Sequence, residues 1–256
     1  MTLRIAIAGA AGRMGRTLVS AASADQRFEI VGATMREGSA NTPDIAATPA
    51  PDVAAANAKV WVDFTTPKAT LDALNALAAT KVRAAIIGAT GFAPEHEQQI
   101  AAHATRIAIV RSNNFSLGVT LLAALVEQAA RKLGPEWDIE ISEAHHRRKV
   151  DAPSGTALTL GEAAARGRGK TLDELRLPPH EAVTGARKAG GIGFSITRAG
   201  GIVGEHDVRF GSEHEVLTLA HQALDRAVFA DGALAAALWA ASKPPGLYSM
   251  RDVLGL

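Results

Sequence analysis

Apolar residues in the first half of the chain fall into short unbroken runs, separated by segments of helical period. Leu3-Arg4-Ile5-Ala6-Ile7-Ala8 predicts a buried strand, the stretch to about Ala24 a helix, and Phe28 to Ala33 a second strand. Val60 to Phe64, Ala84 to Gly88 and Ile107 to Val110 predict further strands. Pro67 to Ala79, with proline near its first turn, and Pro94 to Thr105 predict the helices between them. Strands this apolar, alternating with helices, imply a parallel sheet covered on both faces. Residues 38–59, rich in Ala, Pro, Asn and Thr, predict irregular or short helical structure.

Beyond Asn113-Asn114-Phe115 the pattern changes. Leu117 to Leu133 predicts a long apolar helix, Asp138 to Ser142 alternates with period two, and Ala157 to Ala165 predicts another helix. Ile192 to Arg198, Val203 to Phe210 and Glu215 to His221 predict strands joined by short turns, which favour antiparallel pairing in a second, one-sided sheet. Residues 166–191 predict a mobile loop, Asp231 to Ala241 a final helix and Tyr248 to Leu256 a short tail. The domain boundary falls near Phe115, and the final helix fits either domain.

Composition narrows the chemistry. The 256 residues suffice for one large or two modest domains, and 47% apolar against 4% aromatic content makes the core aliphatic. A net charge of +1 leaves no global field for nucleic acid or a membrane surface. The absence of cysteine excludes disulfides, thiolate catalysis and Cys-ligated metals. No basic, cleavable leader precedes the first strand, and no uncharged apolar run approaches the roughly 18 residues of a membrane span, so a cytoplasmic protein is expected.

The first strand runs into Gly9-Ala10-Ala11-Gly12-Arg13-Met14-Gly15 and then a helix. Glycines in such a strand-to-helix turn allow the tight bend, the approach of a pyrophosphate and close helix–strand packing. This predicts a Rossmann-type parallel-sheet domain that binds a dinucleotide, followed by an α+β domain with an open mixed or antiparallel sheet. A turn used only for packing is the alternative. After the second strand, Arg36 suits a 2′-phosphate, with Arg13 as a second cation and Glu37 able to reach a ribose, so NADPH is favoured over NADH with dual use expected. Gly88-Ala89-Thr90-Gly91 and Ser112-Asn113-Asn114-Phe115 end later strands on their carboxyl side, where ligands of open α/β sheets bind.

The densest chemistry lies in Glu143-Ala144-His145-His146-Arg147-Arg148-Lys149-Val150-Asp151-Ala152-Pro153-Ser154-Gly155-Thr156-Ala157. A solvated charge patch, a nucleic-acid contact and a metal site are alternatives to catalysis here. The run is short for nucleic acid and lacks interleaved aromatics. Adjacent histidines point apart in regular structure, with no His or Glu partner at i+4. The Pro-Ser-Gly-Thr turn instead opens a helix whose first N–H groups suit a carboxylate. Glu205-His206 and the Glu213-His214-Glu215 group predict surface or cross-strand pairs, Trp137 and Trp239 predict packing, and Arg226, where the second sheet hands over to the final helix, has no assigned role, a substrate or hinge contact being the lesser alternative.

That run resembles the signature of the dihydrodipicolinate reductase family, and the resemblance spans the chain: I-A-G-A-A-G-R-M-G at the start, D-F-T at 63–65, I-G-A-T-G-F at 87–92, N-F-S-x-G-V at 114–119, I-V-G-E-H at 202–206 and M-R-D-V-L at 250–254. It implies NAD(P)H-dependent reduction of a cyclic dicarboxylate to tetrahydrodipicolinate, in lysine and diaminopimelate synthesis. By the same resemblance His145 is the proton donor and Lys149 a second one, while His146, Lys149, Gly155 and Thr156 hold the substrate carboxylates. Gly9 to Met14, Gly88 to Thr90 and Ser112 to Phe115 line the cofactor. The resemblance further implies a dinucleotide-binding domain over 1–115, a substrate-binding and oligomerisation domain over 116–225 whose sheet builds a homotetramer, and a segment 226–256 that returns to the first domain. Two positions depart from the pattern. Met35 precedes Arg36 where NADH-using members often carry Glu, and Ala89 stands where Thr is common. Another imine reductase on this fold is a second enzyme reading; acylating semialdehyde dehydrogenases need a cysteine. A nucleotide-sensing regulator is the non-enzyme reading, and it predicts lost proton donors or a DNA-binding appendage.

Overall fold

The computed structural model describes residues 2–36, 38–39, 45–179 and 185–256. Its elements run β1 (Leu3–Ile7), α1 (Arg13–Ala24), β2 (Phe28–Thr34), β3 (Ala47–Thr48), α2 (Pro51–Ala54), β4 (Val60–Asp63), α3 (Pro67–Leu77), β5 (Ala84–Ile87), α4 (Pro94–His103), β6 (Ala108–Arg111), α5 (Leu117–Lys132), β7 (Asp138–His145), α6 (Gly155–Gly167), α7 (Leu172–Leu175), β8 (Ile192–Arg198), β9 (Gly204–Gly211), β10 (Val216–Ala223), α8 (Ala227–Ala240), β11 (Gly246–Tyr248) and α9 (Met250–Leu254). They form two compact units, Met1–Leu117 with Ala227–Leu256, and Gly118–Arg226.

The first unit is a seven-stranded parallel sheet in the order β11-β6-β5-β4-β1-β2-β3. Its central strands are buried on both faces, which is why they read as continuous apolar runs. One face packs Ile5, Ile7, Val62 and Ile86 against Leu18 of α1 and Ala233 and Ala237 of α8. The other packs Trp61, Ile87 and Ile109 against Leu71 and Leu74 of α3 and Ile100 of α4. Helix α3 starts where Thr66 caps it, accepting the Ala69 N–H, with Pro67 at its first position. The stretch 38–59 supplies β3 and α2 among its described residues. The expected tail contains β11, which lengthens the sheet beside β6, and α9, stopped by Gly255 at φ 71°.

The second unit is a four-stranded sheet in the order β10-β9-β7-β8. Strand β7 runs three residues past the expected Ser142, and its period two puts Ile139, Ile141, Glu143 and His145 on one buried face. That face packs against Leu122 and Val126 of α5 and Leu160 and Ala164 of α6. Purely antiparallel pairing does not hold. Strands β7 and β8 are parallel, because the α6–α7 crossover joins them, and β7 separates β8 from β9. The short β8–β9 connection therefore passes the end of β7, where Ala199 N–H donates to His145 O (2.9 Å) and Arg147 N–H to Gly200 O (3.3 Å).

Residues 166–191 are not one loop. Helix α6 extends to Gly167, and α7 starts at a capping box in which Thr171 and Glu174 bond each other. Arg168 donates to the carbonyls of Gly190 and Trp137, and Arg187 to that of Ile139.

Candidate active site

Chemistry concentrates at two places, one in each unit. In the first unit the glycine turn closes on itself. Gly9 has φ 63°, and its carbonyl accepts the Gly12 N–H at 2.9 Å. The end of β2 holds the turn from the other side: Thr34 Oγ1 accepts the Gly9 N–H (3.0 Å) and Thr34 O accepts the Ala10 N–H (2.9 Å). A Cβ on Gly15 would lie 2.1 Å from Gly9 O, so glycine there lets α1 sit directly on the turn. Gly12 caps α1, whose first turn carries no acidic residue to compete for an anion.

A cavity of about 850 Å³ opens in front of this turn, lined by Gly9, Ala11 to Gly15, Thr34 to Arg36 and Asp63 to Thr66. Its size and glycine lining fit a dinucleotide, and Arg13 and Arg36, both exposed, supply cations at its wall. Glu37 lies outside the described residues. Ala10 is fully buried behind the turn. Asp63 went unassigned in the sequence although it stands in the D-F-T motif. It is buried, and accepts from Thr65 N–H (2.8 Å), Thr65 Oγ1 (2.5 Å) and Trp61 Nε1 (3.4 Å). Burial pushes its carboxyl up, against those bonds. Thr65, so held, packs its methyl group over Gly9.

Gly88, Ala89, Thr90 and Ser112 to Phe115 do not line that cavity. Ala89 is buried, Thr90 is exposed, and the Phe115 ring is buried against Phe64 at 5.2 Å between centroids. Phe115 can thus offer a ligand only its backbone. Ser112 Oγ donates to Asn114 O (2.6 Å), Asn114 Oδ1 accepts the Ser116 N–H (2.8 Å) and Arg111 reaches Asn113 Oδ1 (2.9 Å), which fixes this turn.

In the second unit the strand register assembles a buried polar cluster. Glu143 stands opposite His206 of β9, and His145 opposite Arg198 of β8. The Glu143 side chain has no exposed surface. Its Oε2 bonds His145 Nδ1 (2.5 Å) and Arg198 Nη1 (2.8 Å); its Oε1 accepts from Arg198 Nη2 (2.7 Å) and Ser154 N–H (3.0 Å). Burial pushes this carboxyl up, but the bonds from Arg198, His145 and Ser154 outweigh it and hold it below the usual carboxylate range. Burial pushes His145 down while Glu143 opposes the shift. His206 is 5% exposed, not a surface residue. It meets His145 edge-on at 5.0 Å between centroids, bonds Ser154 Oγ through Nε2 (3.1 Å), and is pushed by burial to about 4.

Glu143, His145 and His206 have a metal-like spacing, their ligand atoms within 4.8 Å of one another. The arrangement is nevertheless already served by a cation, since the Arg198 guanidinium bonds both Glu143 oxygens. Ser154 caps α6 by accepting the Ala157 N–H (3.2 Å), so the first turn of α6, with Gly155 and Thr156, begins beside the cluster. A Cβ on Gly155 would meet nothing within 4 Å, which leaves open space there for a ligand.

The adjacent histidines do part. His146 lies beyond the strand, where its Nε2 bonds Arg226 Nη2 (3.1 Å), and lost hydration and the charges of Arg226, Arg148 and Lys149 push it down. Lys149 pairs with Asp151 at 2.8 Å. Arg147 and Arg148 are exposed. Glu213, His214 and Glu215 form an exposed turn, while Trp137 and Trp239 pack as expected, Trp239 edge-on to Tyr248. Sequence reasoning missed Glu143, Arg198, His206 and Ser154 as a group. Period two running on from Ile139 was the one signal that pointed to Glu143 beside His145.

Comparison with known proteins gives a consistent result. Residues 3–115 match the family model for the dihydrodipicolinate reductase N-terminus, and residues 118–254 that for its C-terminus. The 4-hydroxy-tetrahydrodipicolinate reductase of Caulobacter vibrioides is 51% identical, covering 99% of this chain and 97% of its own. That of Parvibaculum lavamentivorans is 48% identical, covering 99% and 98%. Among solved structures, a dipicolinate-bound dihydrodipicolinate reductase from Paenisporosarcina sp. TG-14 superposes with a TM-score of 0.81 at 25% identity, covering 98% of this chain and 99% of that one. An amine dehydrogenase from Mycobacterium smegmatis shares the fold at TM-score 0.62 and 12% identity.

Proposed function

This chain belongs to the dihydrodipicolinate reductase family and reduces 4-hydroxy-tetrahydrodipicolinate with NAD(P)H in lysine biosynthesis; we propose that it divides the work between its two units. The observation that carries the reading is the cluster of His145, Glu143 and the α6 N-terminus in the second unit, together with a glycine-lined cavity in the first. When bound, the nicotinamide cofactor supplies the hydride.

In this reading Gly9, Ala11 to Met14 and the α1 N-terminus hold the pyrophosphate through backbone N–H groups, with Ala10 as backing. Arg36 and Arg13 meet a 2′-phosphate, so NADPH is preferred. Gly88 to Thr90 and Ser112 to Phe115 offer backbone to the nicotinamide end. The substrate is a small dicarboxylate, as in the dipicolinate-bound relative. Gly155 and Thr156 bind one carboxylate at the head of α6, while His146 and Lys149 hold it from the facing loop. Charge that builds on the ring nitrogen is stabilised by Lys149. His145 delivers the proton as a positioned imidazole, which burial pushes down and the Glu143 carboxylate partly restores, with Lys149 as the second donor. The enzyme works in the cytoplasm, where reduced nucleotide is drawn on for biosynthesis, and as a homotetramer joined through the sheet of the second unit.

An assay coupled to dihydrodipicolinate synthase, following nicotinamide absorbance with each nucleotide, tests this function. The expected result is oxidation with both nucleotides and a lower KM for NADPH. No oxidation above background with either would contradict the reaction; equal KM values would contradict the 2′-phosphate contact.

A further inference from the structure

Glu143 makes no contact that a ligand-binding role would need, since its side chain is sealed from solvent. Its three partners among the described residues are all donors, and they border the proposed reaction site: the His145 ring, the Ser154 N–H at the head of α6, and Arg198, which also donates to Asp151 O (2.7 Å) at the end of the Lys149 loop. We infer that Glu143 is a positioning residue, which fixes His145 with its proton on Nδ1 and leaves Nε2 as the nitrogen that exchanges a proton with substrate. The inference deepens the proposed function and rests on His145 being the proton donor.

The geometry favours this tautomer. A carboxylate held ionised by Arg198 can only accept, so the His145 nitrogen 2.5 Å away must be the donor in that bond. The other nitrogen faces Gly204, where a Cβ would lie 3.2 Å from Nε2. Glycine at 204 therefore keeps that side of the ring clear, while the Glu143 side is closed. The charged groups around the ring are Glu143 and Arg198 on the neighbouring positions of the sheet and Lys149 on the following loop, and the titratable but neutral His206 meets it edge-on. Glu143 alone favours the imidazolium. A glutamine at 143 could not replace it: one of its two positions would be an NH₂ facing either His145 Nδ1 and Arg198 Nη1, or the Ser154 N–H and Arg198 Nη2.

The pH effect has a definite sign. A donor must be protonated, so kcat falls as pH rises through the pKa of His145. Removing the carboxylate leaves burial and the cations unopposed, so that limb moves to lower pH.

The first test uses the wild-type enzyme with ¹⁵N-labelled histidine, the His145 signals being identified by their loss in His145→Gln. The expected neutral form carries its proton on Nδ1; a proton on Nε2 with Nδ1 bare overturns the inference, whatever any variant does. The second test is kinetic. Glu143→Gln should lower kcat by about 10²-fold and move the alkaline limb of its pH profile down by about one unit, with KM for NADPH within about twofold of wild type. An unchanged kcat and limb would overturn the inference. Should His145→Gln itself keep the wild-type rate, the proton-donor reading fails instead, and the tautomer measurement still reports on Glu143 separately.

Discussion

His206 links a buried side chain to the acid stability of the second unit. Burial pushes it to about 4 in the folded protein, against an ordinary value near 6.5, so the folded state keeps it neutral where the unfolded chain takes up a proton. Stability contributed by this neutral ring is complete above about pH 6.5, falls as pH drops towards 4 and levels off below; the shift corresponds to about 3 kcal/mol. Urea unfolding between about pH 7 and pH 4.5 should show that loss, and His206→Gln should flatten it. Parallel pH slopes for the two proteins would contradict the assignment. His206 also shows what the sequence leaves hidden. Its pairing with Glu143, far away in the chain, depends on strand register, and a one-residue slip would have turned it to the open face. His145 and Lys149 could be picked out from residue type and resemblance, whereas Arg198 looked like an ordinary strand end.

Most elements were legible because their patterns are local. The apolar strands of the first unit and the capped helices between them follow from runs, glycines and prolines a few residues apart. The second sheet was harder, because connection length alone suggested that β8 and β9 pair, and only the crossover through α6 and α7 explains why β7 lies between them. The helix in 166–191 was obscured by the Gly, Arg and Lys around it, although Thr171 and Glu174 cap it. Strand β10 is an eight-residue edge strand that, among the described residues, pairs with β9 alone, and it exposes Val216 (63%) and Leu217 (41%). Long exposed edges are normally covered, which supports the proposed tetramer. Light scattering should give four times the chain mass for the wild type and a smaller species for Val216→Asp with Leu217→Asp. A monomeric wild type would contradict the assembly.

At the scale of the molecule, the two units carry different chemistry: a glycine-turn cavity in one, a buried acid–histidine cluster at a helix N-terminus in the other. The sequence disclosed the two-part plan through its change of pattern near Phe115. It did not disclose which side chains share a buried face, since that depends on sheet order. The division of labour predicts that losing a proton donor damages turnover and spares cofactor binding. The most direct measurement is kcat for His145→Gln and Lys149→Ala beside NADPH affinity for the same proteins. The account predicts that kcat falls by about 10²-fold or more in each, with NADPH binding within about twofold of wild type; wild-type turnover in both variants would contradict it.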